Sequence, residues 1–434
     1  MYRKTILENG IRIITETMES VRSVSVGVMI DAGPRDETPQ QAGLAHLAEH
    51  AMFQGTSSRN AMQIARLIDS AGGQTGAFTT RDYTCYTATV LDDYCTYALD
   101  LLGDILLNSI FPPEALEREK RAILCETDAA RDIPDERVHD LLKAFVWSGH
   151  HLGRSVAGHP DSVRTLTRED VIYFVHEHYL SDRLIIAAAG QVRHEDFVAQ
   201  VRDAFWRMLP PVKEDETSDR QHKKLAFQDG VVMEHIPVSQ TYFSVGIRTH
   251  PYTYPGRYGL YVLNNILGSG ISSRLFRRMR EERGLVYNIS SEYHAYRDDG
   301  ILMIEGSTTP EYLMQVLGLT LVELWKLISG EEPADEEELW KAKMNLRGQF
   351  MIASENTNTR MSRLATQEFY FGRHIPAEEI LTKIDAVDIQ TFQHLANDGL
   401  TDALTRGAVA VVGPEGNPDH YSISSIKDLL KFEI

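Results

Sequence analysis

The sequence predicts an α+β protein of two homologous domains, each a mainly antiparallel sheet packed with helices. Three observations carry that expectation. The 434 residues exceed one ordinary core and suit two domains. Short β-patterned stretches bounded by turn residues are interspersed with longer amphipathic ones. The second half then repeats the order of the first. Pro210-Pro211 followed by the charged run K-E-D-E-T-S-D-R-Q-H-K-K marks the joint. The expected division is therefore residues 1–209, a linker at 210–228, and residues 229–434.

Taken in order, Arg3 to Glu16 reads as two strands around an Asn9-Gly10 turn. Val21 to Ala32 alternates, is rich in Val, and reads as a strand ended by Gly33-Pro34. Helices are expected over Gln41 to Gln54 and Asn60 to Ala71, the latter stopped by Gly72-Gly73. Gln74 to Val90 reads as a strand pair bent at Thr79 to Asp82. Asp92 to Asn108 presents Leu99, Leu102 and Ile105 on one helical face. Glu114 to Asp132 is a charged helix. Helices around Val138 to Phe145 and Arg168 to Tyr179 precede a buried-type strand at Leu184 to Ala189.

In the second half, a hairpin-like start at Leu225 to His235 leads into a strand at Tyr242 to Arg248. Helices are expected at Gly259 to Leu267 and Ser272 to Gly284, strands at Val286 to Tyr296 and Ile301 to Ser307, and helices at Pro310 to Ser329 and Asp335 to Ser354. G-L-A-H-L-A-E-H at Gly43 aligns with G-L-Y-V-L-N-N-I at Gly259. Ser57-Ser58-Arg59 aligns with Ser272-Ser273-Arg274 at nearly the same offset. A duplication explains both matches.

Composition excludes some classes. A formal net charge of −18 repels phosphates and argues against nucleic acid, while leaving room for basic peptides. No apolar run suits a signal peptide, and no 18-residue apolar window is expected, so neither a membrane span nor export is predicted and the cytoplasm is the expected location. Cys85, Cys95 and Cys125 form no disulfide framework and suit a reducing compartment. A lone cysteine such as Cys125 is expected to be a small buried hydrophobe.

The chemistry concentrates in Gly43 to Thr56. His46, Glu49 and His50 are spaced His-x-x-Glu-His. On a helix the two histidines lie one turn apart on one face, where neutral imidazoles can grip a divalent metal. Glu49 beside them can take a proton from water. Zinc still lacks a third protein ligand, for which Glu126, on another helix, is the natural choice. Glu119, two turns earlier on the same face, can support a ligand by hydrogen bonding. In the aligned copy these chemical residues are gone: His46, Glu49 and His50 correspond to Val262, Asn265 and Ile266.

On H-L-A-E-H-A-M-F-Q-G-T at His46, A-G-G-Q-T-G-A-F-T-T-R-D-Y-T at Ala71, L-E-R-E-K-R-A-I-L-C-E at Leu116, R-G-L-V-Y-N-I at Arg283 and A-V-A-V-V-G-P at Ala408, the chain resembles the pitrilysin, or insulinase-like (M16), family of zinc metallopeptidases. It is closest in type to the short two-domain members related to mitochondrial processing peptidase. The resemblance implies one Zn2+ per chain held by His46, His50 and Glu126, with Glu49 as base and Glu119 as the supporting acid. It places the substrate- and oxyanion-binding pair on Arg280 and Tyr287. Donors of that kind suit a developing oxyanion; from spacing alone, Arg280 pairing with surface carboxylates and Tyr287 beginning a strand is the favoured reading, and the resemblance turns the balance to function.

The stretch after Gly72-Gly73 resembles the family's edge strand, on which an extended peptide pairs through its main chain. Gly76, Ala77 and Phe78 would be the contact residues. The family usually has Asn where this chain has Gly76, which removes a side-chain amide; a glycine required by a β-bulge is the structural alternative. Gly268-Ser269-Gly270 reads as a helix cap or a flexible gate. The resemblance further implies two chains around a chamber, as a homodimer or else a heterodimer, cleaving unfolded or presequence-like peptides. The alternative is a catalytically weak or inactive binding subunit.

Overall fold

The computed structural model describes residues 1–70, 72–206, 225–415 and 420–431. The expected linker thus lies outside the described residues except for 225–228. Two compact units interleave along the chain. The first comprises Met1–Asp128, Arg154–Gln221 and Met351–Ile375; the second comprises Ala129–Gly153, His222–Phe350 and Pro376–Ile434.

The first unit is built on six strands: β1 (Tyr2–Ile6), β2 (Arg12–Thr17), β3 (Ser23–Ile30), β4 (Gln74–Thr79), β5 (Thr84–Leu91) and β6 (Leu184–Gly190). They lie in the order β1-β2-β6-β3-β5-β4, antiparallel except for β2 with β6. The Asn9-Gly10 signal makes the β1–β2 hairpin, with Gly10 at φ 91°. The second unit has β7 (Gly230–His235), β8 (Thr241–Thr249), β9 (Val286–Ala295), β10 (Gly300–Thr308) and β11 (Ala408–Gly413). Their order is β7-β11-β8-β10-β9, with β7–β11 the single parallel pair. With β1 set aside, the two sheets share one strand order and one parallel pairing. This shared topology is what a duplication leaves behind. It also corrects the hairpin expected at Leu225 to His235: β7 is a lone strand whose partner arrives from the far end of the chain.

In the first unit one sheet face packs against helices Leu44–Ala51, Cys95–Asn108, Arg168–His178 and His194–Phe205, around Val24, Val26, Val28, Leu102, Phe174 and Phe197. The opposite face is closed by helix Thr357–Phe371, drawn from the second half of the sequence. Its Met361, Leu364 and Ala365 pack on Ile14, Met29, Ile185 and Ala187. β3 is consequently buried from Val24 to Ile30 and β6 along its whole length. The apparent alternation of Val21 to Ala32 therefore marks two buried faces, Val24, Val26, Val28 and Ile30 on one and Ser25, Gly27 and Met29 on the other, not a wet face. Gly27 permits the close approach: a Cβ there would lie 2.2 Å from Met361 Sδ.

The second unit mirrors this arrangement with a helix from the first half of the sequence. Helix Pro134–Val146 places Val138, Leu142 and Val146 on Ile301, Met303, Ala410 and Val412. Helices Arg257–Leu267 and Leu313–Ser329 fill the other face. Pro310–Ser329 is, by length and composition, apolar enough to cross a membrane, contrary to the expectation that no such window exists. Its Leu313, Val316, Leu317, Leu324, Leu327 and Ile328 are core residues here. The helix expected over Ser272 to Gly284 forms over a shorter span, and its Phe276–Glu281 part is wound wider, as a π-helix. Gly268 caps helix Arg257–Leu267, its N–H donating to the Asn264 carbonyl at 3.0 Å.

Candidate metal centre

The helix that carries the histidines starts without a side-chain cap of its own, because its N-cap residue is Gly43 at φ 95°. A Cβ at Gly43 would meet the Ala157 carbonyl at 2.8 Å, so the position accommodates no side chain. Glu37 supplies the missing acceptors from upstream. Its two carboxylate oxygens accept the N–H groups of Gly43 at 3.1 Å and Ala45 at 2.8 Å. Buried at this helix start, the carboxyl is pushed up to about 7, with the two backbone donors opposing the shift. Sequence reasoning passed over Glu37. The available signal was a helix beginning without Ser, Thr, Asp or Asn and a Glu just upstream.

His46 and His50 stand one turn apart with ring centroids 4.6 Å from each other. Donor atoms of His46, His50 and Glu126 all lie within 4.8 Å of one another. His50 Nδ1 is 3.1 Å from Glu119 Oε2, and its Nε2 is 3.9 Å from Glu126 Oε2. Both acids sit on helix Pro113–Asp132. Burial, then the neighbouring His50, lowers His46 to about 4, which keeps its lone pairs available near neutral pH. Its Nδ1 is buried with no hydrogen-bond partner among the described residues. Two imidazoles and a carboxylate fit zinc, and a carboxylate on the far nitrogen of one ring is a familiar orienting device. Glu49 is buried beside them and accepts a hydrogen bond from Thr79 Oγ1 at 2.5 Å. Burial raises its pKa, while the Thr79 bond and His50 draw it down. Cys125, next to Glu126, is exposed, contrary to expectation, because it lies on the solvent side of that helix.

β4 is an edge strand paired only with β5. Ala77 is half-buried and Phe78 exposed. The register from Gln74 to Thr79 is unbroken, so Gly76 serves no bulge. A Cβ on it would meet only Thr87 Oγ1, at 3.7 Å.

In the second unit, Arg280 lies in the π-helix with its guanidinium 5.6 Å from the Tyr287 ring centroid. Asn288 pairs with Ser307 and Val286 with Thr308, so the bulge leaves Tyr287 unopposed on β10. Its side chain is 72% exposed. Both residues therefore occupy local irregularities, the kind of backbone that re-aims side chains. Val262, Asn265 and Ile266, the counterparts of the metal motif, are buried in the core of this unit.

A twice-used α+β topology, with His46, Glu49 and His50 in the first copy and Val262, Asn265 and Ile266 at the matching places in the second, defines a duplicated protein in which one half alone carries this motif. Its particular lineage follows from comparison: the chain belongs to the insulinase family, peptidase family M16. Residues 12–159 match the description "Insulinase (Peptidase family M16)", and residues 165–346 match "Peptidase M16 inactive domain". The uncharacterized zinc protease YmxG of Bacillus subtilis is 34% identical over 96% of this chain and 99% of its own. A probable mitochondrial-processing peptidase subunit beta of Arabidopsis thaliana is 31% identical over 96% of this chain and 80% of its own. Among solved structures, a protease from Helicobacter pylori superposes with a TM-score of 0.88 at 18% identity, covering 95% of this chain and all of the other. That likeness concerns the fold.

Proposed function

We propose that the chain is a zinc-dependent endopeptidase that cleaves unfolded or presequence-like peptides within a chamber formed by two chains. The supporting observation is the convergence of His46, His50 and Glu126 within 4.8 Å, with Glu49 buried beside them. His46, His50 and Glu126 would hold zinc, one ion at this site. Zinc, when bound, supplies a Lewis acid for the scissile carbonyl and lowers the pKa of water. Glu119 fixes the His50 ring from its Nδ1 side. Glu49 takes the proton from the attacking water and passes it to the leaving amine; burial, by raising its pKa, makes it a better proton acceptor than an exposed carboxylate. Thr79 orients that carboxylate.

The open edge of β4 would receive the peptide as an added strand, main chain to main chain, at Gly76, Ala77 and Phe78. Such pairing tolerates many sequences but requires an extended substrate. Arg280 and Tyr287 would support the oxyanion of a partner chain's centre, so each chain contributes two half-sites to a homodimer; a related second subunit could serve the same purpose.

Gly76 favours a second reading, a binding subunit with little turnover. The deciding experiment measures zinc content and cleavage of a quenched unstructured peptide by wild type and Glu49→Gln. The substitution should retain zinc and reduce cleavage by about 10²- to 10⁴-fold. A wild type without zinc, or equal cleavage by both proteins, rules the peptidase out. Mixing Glu49→Gln chains with Arg280→Ala chains should restore part of the activity if half-sites are shared.

A further inference from the structure

The contact between Thr79 and Glu49 is held from both sides by one short segment of the first unit. Glu37 accepts the N–H groups of Gly43 and Ala45, which fixes the start of the helix that carries Glu49. Arg35, two residues earlier in the tight turn Pro34–Asp36, reaches the turn that follows Thr79. Its Nη2 is 3.1 Å from Asp82 Oδ1, and the two side chains are only 6% and 1% exposed. Asp82 Oδ2 accepts from the Tyr370 hydroxyl at 2.7 Å, at the end of helix Thr357–Phe371. Between Thr79 and Thr84 the turn closes on itself. The Thr80 N–H donates to the Tyr83 carbonyl at 2.8 Å, and Thr80 Oγ1 accepts the N–H groups of Asp82 at 3.2 Å and Tyr83 at 3.1 Å. The turn lies against Gly33, where a Cβ would come within 3.2 Å of the Thr80 carbonyl and the Tyr83 nitrogen.

We propose that Asp82, clamped by Arg35 and Tyr370, is a positioning residue that holds Thr79 against the Glu49 carboxylate, a role that rests on the peptidase reading above. Desolvation offsets most of the attraction in so buried a pair, so its use is to select one geometry rather than to add stability. The geometry selected is that of Thr79, whose hydroxyl donates to Glu49 Oε2 at 2.5 Å. With Oε2 engaged, Oε1 remains for the proton of the attacking water. Asp82 touches neither the metal ligands nor Glu49; it acts through three residues of turn. A base displaced by about 1 Å can cost on the order of 10²-fold in rate, so a loosened turn is felt in the chemical step. The peptide-binding residues Gly76 to Phe78 precede the turn in regular register with β5, and they stay in place when it loosens.

The test compares the full chain with its Tyr370→Phe, Asp82→Ala and Asp82→Asn variants, on a quenched unstructured peptide. Tyr370→Phe keeps the ring and removes one hydrogen bond, so it serves even if Asp82→Ala fails to fold. It should lower kcat by about 3- to 10-fold and Asp82→Ala by about 10- to 100-fold, with KM within about twofold and zinc content unchanged. Asp82→Asn, whose amide oxygen accepts from Arg35 and whose NH2 donates to the Tyr370 oxygen, should recover most of the loss. Thr79→Val should lower kcat about tenfold, and adding Tyr370→Phe to it should cost nothing more, because the clamp acts through that hydroxyl. A second readout needs no activity: in metal-free chains, amide hydrogen exchange in the Thr80 to Tyr83 turn should be about tenfold faster in Tyr370→Phe. The proposal is overturned if Tyr370→Phe keeps the wild-type kcat, if its loss adds in full to that of Thr79→Val, or if exchange in the turn is unchanged. A wild type without zinc, or cleavage indifferent to Glu49→Gln, ends the peptidase reading instead, and the exchange rates alone then decide whether Asp82 clamps the turn.

Discussion

The carboxylate of Glu119 meets Nδ1 of His50 at 3.1 Å, leaving Nε2 of the same ring on the side of Glu126. One acid thereby selects which nitrogen of the imidazole is offered to a metal. Glu119→Ala should leave the fold intact and weaken zinc affinity by about 10- to 100-fold. Glu119→Gln, whose amide oxygen still accepts from Nδ1–H, should recover part of the loss. Competition with a chelator of known affinity reads both effects, and unchanged affinity in Glu119→Ala would remove this acid from the centre.

Much of this was legible from spacing. The Asn9-Gly10 turn, the His-x-x-Glu-His helix and the helix bearing Glu119 and Glu126 are local patterns, and local patterns survive as elements. What sequence periodicity does not report is the surface against which a buried face packs. Val138, Leu142 and Met361 announce burial, yet nothing local says that the first two belong to the second unit's sheet and the third to the first unit's. The same limit hid the pairing of β7 with β11, whose partners are far apart in sequence. Glu37 escaped notice for a related reason: as an isolated acid before a glycine it signals nothing until the uncapped N–H groups of Gly43 and Ala45 are seen above it.

Glu37 gives a pH signature. Its folded pKa of about 7 lies above the ordinary 4.5, so the folded chain binds more protons through that interval. Its contribution to stability is therefore fullest below about pH 4.5 and declines as pH rises through about 7, by up to about 3 kcal/mol. His46, lowered from 6.5 to about 4, acts in the opposite sense, adding stability as pH rises across its own window. The two slopes oppose each other in the wild type, so the comparison must remove one. Urea unfolding of metal-free wild type and Glu37→Gln from about pH 5 to 8 should show the wild type losing stability relative to the variant as pH rises. A pH-independent difference would contradict this account.

The Gly27–Met361 approach tests the exchanged helix. Gly27→Ala would push a methyl into Met361 Sδ, 2.2 Å away, and should destabilise by about 1–3 kcal/mol. Met361→Ala leaves a cavity and should cost about 2–5 kcal/mol. Together they should cost clearly less than the sum, because the new methyl occupies vacated space. Additive losses in denaturant unfolding would mean that the helix Thr357–Phe371 does not pack on β3.

Gly76 decides between an efficient and an inefficient substrate edge. Its backbone follows the regular β4–β5 register, and an added Cβ meets only Thr87 Oγ1 at an ordinary contact distance of 3.7 Å. Gly76→Asn is therefore expected to be tolerated, changing stability by no more than about 1 kcal/mol. If β4 receives the peptide, the new amide gains a hydrogen bond to the substrate main chain. One such bond, worth about 1 kcal/mol, corresponds to roughly fivefold in kcat/KM. Because the contact is made along the peptide and away from the reacting carbonyl, it should appear in KM with kcat nearly constant. The same substitution in a Glu49→Gln background should tighten peptide binding without restoring cleavage, which separates strand pairing from chemistry. An Asn variant that is stable, binds zinc normally and shows no change in KM would move the substrate away from β4.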